Sequence, residues 1–172
     1  MPPDPPASCR SWRARYERRV HVLERETIIP APLARVFPFF ADARNLERIT
    51  PDALKFRILT EGRIEMRAGA VIDYRLSLSG LPFRWRTVIE VWDPPHRFVD
   101  VQQKGPYALW RHTHSFESLP DGTTRMRDRV EYALPFGPLG RLVRRLFVGR
   151  QLDTIFGFRQ KIIADVFRNG GA

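Results

Sequence analysis

Between Phe98 and Tyr132 runs the stretch FVDVQQKGPYALWRHTHSFESLPDGTTRMRDRVEY, which limits the possible folds more than any other part of the chain. Two turn signals, Lys104-Gly105-Pro106 and Pro120-Asp121-Gly122, divide it into three strands joined as successive β-hairpins. Residues two apart in a strand share a face. One face carries Phe98, Asp100 and Gln102, then Trp110, His112, His114 and Phe116, then Met126, Asp128, Val130 and Tyr132. A soluble sheet buries an apolar face, so the acids and histidines in this set require partners. If each turn centres its hairpin, Asp100 or Gln102 stands opposite His112, and Asp128 stands opposite His112 or His114. Directly opposed side chains sit about 5 Å apart. Asp100, His112, His114 and Asp128 therefore make one candidate cluster across three strands.

The rest of the chain supplies what covers that face. Val20 to Ile29 alternates weakly as a strand and stops at Pro30. Pro32 opens a short helix containing Val36, Phe37, Phe39 and Phe40, in which Pro38 predicts a kink or an early end. Asp42 is placed as the N-cap of a second short helix, Ala43 to Ile49. Strands are expected over Leu54–Thr60, Val71–Ser79 and Phe83–Trp92, with Arg63–Met66 as turn or short strand. From Leu139 to Phe167 the apolar residues Leu142, Leu146, Leu152, Ile155, Phe156, Ile162, Ile163, Val166 and Phe167 recur with helical period. The order is one strand, two short helices, a run of antiparallel strands and a long helix. Such a sheet curls, and the long helix covers its concave side. The helix does not fill the whole concavity, so a pocket is expected between the two.

Charge and cysteine usage narrow the partners. The net charge of +10 is concentrated at the two ends, with five Arg in residues 1–19 and seven cations between Pro138 and Arg168. No Arg/aromatic interleaving or nucleic-acid motif accompanies it, so no nucleic-acid partner is expected. Residues 1–19 and 169–172 are expected to be tails flanking a single domain over 20–168. Cys9 is the only cysteine, so neither a disulfide framework nor a thiolate metal cluster is expected. With no apolar run near 18 residues and no secretory leader pattern, a cytoplasmic protein is expected.

At Ile29-Pro30-Ala31-Pro32 with Val36-Phe37, Asn45-Leu46, Ile49-Thr50-Pro51, Asp93-Pro94-Pro95 with Phe98 and Asp100, Gly105-Pro106, Trp110-x-His112-x-His114-x-Phe116, and Asp128-x-Val130-x-Tyr132 with Pro135-x-Gly137, the chain resembles the SRPBCC superfamily. That superfamily groups START domains, birch-pollen-allergen-like proteins and polyketide cyclase/dehydrase-like proteins. The resemblance covers nearly all of residues 20–168 and is similar in particular to a bacterial cyclase-like branch. It implies an α+β helix-grip fold: a curved antiparallel sheet wrapped around a long C-terminal helix, with two short helices after the first strand. It also implies a hydrophobic small-molecule ligand, such as a lipid, a polyketide-like compound or an aromatic metabolite.

Three functions follow. The first is ligand binding, with Tyr74, Leu76, Trp85, Phe98, Gln102, Trp110, Phe116, Met126, Tyr132 and Phe156 as candidate contacts. The second is a cyclase or dehydratase activity. A carboxylate beside a histidine raises the histidine pKa and selects its tautomer. His112, His114, Asp128 and Asp100 are then the candidate catalytic acid/base group. The third is docking on an anionic membrane surface or acidic partner through Arg141, Arg144 and Arg145. His-x-His aims two imidazoles the same way, but the flanking Trp110 and Phe116 point to an apolar pocket, so neither metal nor cofactor is expected.

Overall fold

A computed structural model describes residues 20–78, 80–135 and 148–168. The expected tails, Cys9, and the basic residues Arg141, Arg144 and Arg145 lie outside the described residues. The described elements are β1 (His21–Ile29), α1 (Leu33–Ala41), two 3₁₀ turns (Ala43–Leu46 and Asp52–Leu54), β2 (Arg57–Ile58), β3 (Val71–Leu78), β4 (Leu81–Asp93), β5 (Arg97–Lys104), β6 (Leu109–Ser118), β7 (Thr124–Ala133) and α2 (Gly149–Arg168). The strands form one antiparallel sheet in the order β1-β7-β6-β5-β4-β3-β2. No helix among the described residues is long and apolar enough to cross a membrane.

Local chemistry explains most of these elements. The β6–β7 turn places Gly122 at φ 80°, a backbone geometry that disfavours residues with a Cβ. That turn sets the register Ser118↔Thr124, and hence His114↔Asp128 further along the ladder. In α1, Pro38 is exposed and lies inside the helix, which is short, at nine residues. The helix holds because Val36, Phe37, Phe39 and Phe40 are all buried against the sheet, which offsets the one lost backbone hydrogen bond. Asp42 does cap the next element, its carboxylate accepting from Arg44 N at 2.9 Å, but that element is a short 3₁₀ turn ending at Leu46.

Two strand expectations change. Over Leu54–Thr60 only Arg57 and Ile58 pair with β3. Lys55 takes a left-handed conformation at φ 46°, which breaks the extended run. At the other end Leu59 N and Thr60 N converge on the single carbonyl of Asp73, which closes the ladder. In β4 a bulge between Ile89 and Val91 reverses the alternation. Ile89 opposes Asp100, yet Trp92 opposes Phe98, so Trp92 joins the inner face instead of the outer one.

The concave face and α2 enclose three apolar clusters. One joins α1 to the sheet through Phe37, Phe39, Phe40, Phe98, Phe116 and Met126, with Ile163 and Phe167 from α2. The second contains Leu76, Trp85, Tyr107, Val130 and Tyr132 with Leu152 and Phe156 of α2. A third, smaller cluster gathers Ala43, Ala70, Ile72 and Ile89. α2 is tied to β1 as well: Gln160 Nε2 donates to Glu26 O at 2.9 Å, and Arg25 pairs with Asp153. On the convex side Arg125, Arg127 and Arg129 form ion pairs with Glu117, Glu26 and Glu24, as a solvated sheet face does.

Candidate functional site

Members of all three clusters surround a cavity of about 150 Å³ between the sheet and α2. Its wall is mostly aromatic and aliphatic, with Tyr74, Leu76, Trp85, Phe98, Trp110 and Phe156 among the contributors. Trp85 stands at the centre of the aromatic part: it stacks on Tyr74 at 5.8 Å and meets Trp110 edge-on at 5.3 Å. The polar groups are few. Tyr74 Oη and Trp85 Nε1 each lie 3.1 Å from Thr87 Oγ1, so the two aromatic polar tips share one hydroxyl. Burial pushes the Tyr74 phenol well above its ordinary range, so it stays neutral.

Asp100, His112 and His114 enter the same cavity, with Asp128 directly behind them. The registers Asp100↔His112 and His114↔Asp128 place the four side chains in one patch of three neighbouring strands. His112 Nε2 bonds to Asp128 Oδ1 at 2.8 Å, and His114 Nε2 bonds to Asp100 Oδ2 at 2.9 Å. The cross pairs are longer: His114 Nδ1 is 3.1 Å from Asp128 Oδ1, and His112 Nδ1 is 3.8 Å from Asp100 Oδ2. The imidazole rings lie 3.8 Å apart, and His114 stacks on Phe98 at 4.1 Å. Each histidine therefore faces both carboxylates, and each carboxylate faces both histidines.

The electrostatics separate the two histidines. Burial and the adjacent His114 push the His112 pKa below its ordinary value, against the pull of the two carboxylates. Burial acts on His114 in the same direction, but its contacts with Asp100 and Asp128 outweigh it, and its pKa is raised. Burial alone raises both carboxyl pKa values. Hydrogen bonds and charge from the histidines reverse this, holding Asp128 far below the usual carboxylate range and Asp100 also below it. Protonation is thus opposed at His112 and favoured at His114. Ligand atoms of Asp100, His112 and His114 lie within 4.8 Å of one another, close enough to share a cation. The Nε2 atoms of both histidines are already bonded to carboxylates, whereas the buried His114 Nδ1 makes no hydrogen bond among the described residues.

Four expected contacts sit elsewhere. Phe116 and Met126 belong to the cluster under α1, and Tyr132 packs against Trp110 and Tyr107; none of the three lines the cavity. All share the inner face of the sheet, but packing rather than open space lies above them. Gln102 does not line it either. Its amide clasps the β5–β6 turn, donating to Tyr107 O at 2.7 Å and accepting from Tyr107 N at 3.2 Å, which leaves it committed to the backbone. Tyr107, Thr87 and Arg159 line the cavity without having been expected to. For Arg159 the signal was present in the sequence: it falls three residues after Phe156 and four before Ile163, on the buried stripe of α2.

Solved structures share this architecture. A Thermus thermophilus protein matches with a TM-score of 0.69 at 21% identity, covering 88% of this chain and 100% of its own. A START superfamily protein from Mycobacterium smegmatis matches with a TM-score of 0.61 at 14% identity, covering 85% and 99%. The major latex-like protein 151 of Panax ginseng matches with a TM-score of 0.61 at 12% identity, covering 87% and 98%. At these identities the likeness establishes the helix-grip fold. No curated protein matches the sequence at a significant level. The model of the family described as polyketide cyclase / dehydrase and lipid transport matches residues 29–156, well over half of the 172-residue chain, and the protein belongs to that family.

Proposed function

We propose that the protein binds a hydrophobic small molecule in the cavity between its sheet and α2. The observation that supports this reading is the cavity itself: an aromatic-walled space in which Tyr74, Trp85 and Thr87 bond to one another and the Nε2 atoms of His112 and His114 bond to carboxylates. An apolar cavity of about this size takes a benzene-sized guest, so a single ring or a short chain fits with the remainder at the mouth. Leu76 is buried and lines the wall. In Leu76→Trp the larger side chain occupies the guest's space. Calorimetric affinity for the neutral probe 3-phenylpropan-1-ol is expected to fall about tenfold or more, with a far-UV spectrum matching wild type. Undiminished affinity in this variant, together with no apolar molecule co-purifying in native mass spectra, removes the reading.

A second reading, proton-transfer chemistry of the cyclase or dehydratase type, is favoured by one specific observation. Asp100, His112 and His114 face the cavity, and the pKa values of the two imidazoles are driven in opposite directions. In this reading neutral His112 takes a proton from the carbon beside a carbonyl, and His114 supplies one to the oxygen. It predicts that the protein accelerates deuterium incorporation α to the carbonyl of 4-phenylbutan-2-one in D₂O. The double substitution His112→Gln, His114→Gln lowers that rate about 100-fold or more. Equal exchange rates in wild type and variant, followed by NMR, leave binding as the sole function of the pocket.

A further inference from the structure

Among the described residues Arg159 is the one Arg or Lys that lines the cavity. It occupies a position on α2 where a Leu or Met would complete the apolar stripe formed by Leu152, Phe156, Ile163 and Phe167. Its guanidinium carbon lies 5.2 Å from the centroid of the Phe156 ring, which places the group beside the cavity wall. Its Nε is buried and has no hydrogen-bond partner among the described residues. Asp100, a cavity carboxylate that feels the Arg159 charge, forms no hydrogen bond or ion pair with it among the described residues; its close contacts run to His114 and His112. A buried guanidinium donor left unpaired is unfavourable, and an acidic oxygen is the group that relieves it best, by paired hydrogen bonds in one plane.

We infer that the ligand is an acid: a carboxylate held by Arg159, carried on a single ring or short chain that packs against Trp85, Tyr74 and Phe156. This rests on the reading that the cavity holds a hydrophobic small molecule, and it names that molecule's chemical class. The arrangement also fixes orientation. The acid lies toward α2, and the apolar body lies toward the sheet, in front of the histidine–carboxylate cluster.

The test is calorimetric titration at neutral pH with 3-phenylpropionate and with 3-phenylpropan-1-ol, a pair that differs in the acidic group. Wild type should bind the acid about tenfold more tightly than the alcohol or better. Arg159→Met should lose that preference, binding the acid no more tightly than the alcohol, since Met replaces the apolar stem of Arg but not its charge. Arg159→Lys should keep part of the preference, because a point charge attracts the carboxylate but lacks the planar fork. If the alcohol binds and the acid binds no better, the inference is overturned and the cavity reading stands. The same holds if acid affinity is unchanged in Arg159→Met. If neither compound binds wild type, the cavity reading fails and this inference with it. Should Arg159→Met not fold, the wild-type ratio and the Lys variant decide between these outcomes.

Discussion

Asp128→Ala is expected to destabilise the protein by about 3–5 kcal/mol, because it removes one member of a buried ionic group and leaves its partners uncompensated. Asp128 is almost fully buried, its Oδ1 accepts from His112 Nε2 at 2.8 Å, and it lies 3.1 Å from His114 Nδ1. Without it both imidazoles keep a buried nitrogen that no carboxylate faces closely. For a domain of this length the loss corresponds to a melting temperature lower by roughly 10 °C. The pH dependence carries the more specific signature. The Asp128 pKa is depressed in the folded state, so its stabilisation is present above the ordinary carboxylate pKa and is lost as pH falls through the folded value. The His114 pKa is raised, so its stabilisation is present below the ordinary imidazole pKa and is lost as pH rises through the folded value. The gap between wild type and Asp128→Ala should therefore be widest between roughly pH 4 and 6.5, and should narrow on both sides. A flat gap, or one below about 1 kcal/mol in urea titrations across that range, shows that the cluster does not act as an ionic group.

Phe37→Ala is the second large effect, again about 3–5 kcal/mol. Phe37 makes the most ring contacts between α1 and the sheet: its ring meets Trp92 at 5.5 Å, Phe116 at 5.5 Å and Phe98 at 6.5 Å. α1 has no side-chain N-cap and contains Pro38, so little besides this packing holds it helical. Removing the ring opens a void under the helix and weakens the element as well as the core. The denaturation midpoint should fall with an unchanged slope, which is the mark of lost stability rather than a changed unfolded state. A loss below about 1 kcal/mol, measured the same way, would mean that α1 does not depend on this contact.

Several features of the site were legible in the residues because they follow from local periodicity. Alternation assigned Asp100, His112, His114 and Asp128 to one face, and the glycine-bearing turns restricted the registers to a few. The structure selects Asp100↔His112 and His114↔Asp128 from that set. Other features were not legible because they depend on what stands above a residue. Phe98 and Phe116 belong to the same inner face, yet the cavity opens over Phe98 and closes over Phe116 under α1. Gln102 has the right parity for a ligand contact, but the tight approach of the chain at Gly105 and Tyr107 draws its amide to the backbone. Strict alternation from Trp85 and Ile89 would turn Trp92 outward, and a single bulge moves it inward.

The sequence by itself determined the order of elements, the inner face of the three strands from Phe98 to Tyr132 and the membership of the histidine–carboxylate cluster. Side-chain period and turn chemistry are short-range properties, and a reader of residues has access to them. Only the tertiary structure decided which inner-face residues border open space, which imidazole pKa is raised and which lowered, and that Arg159 of α2 joins a site built from strands more than forty positions earlier for Asp100, His112 and His114. Those outcomes depend on where a helix comes to rest over a curved sheet, and on how burial and charge sum at one point. Both are set by contacts between residues far apart in the chain.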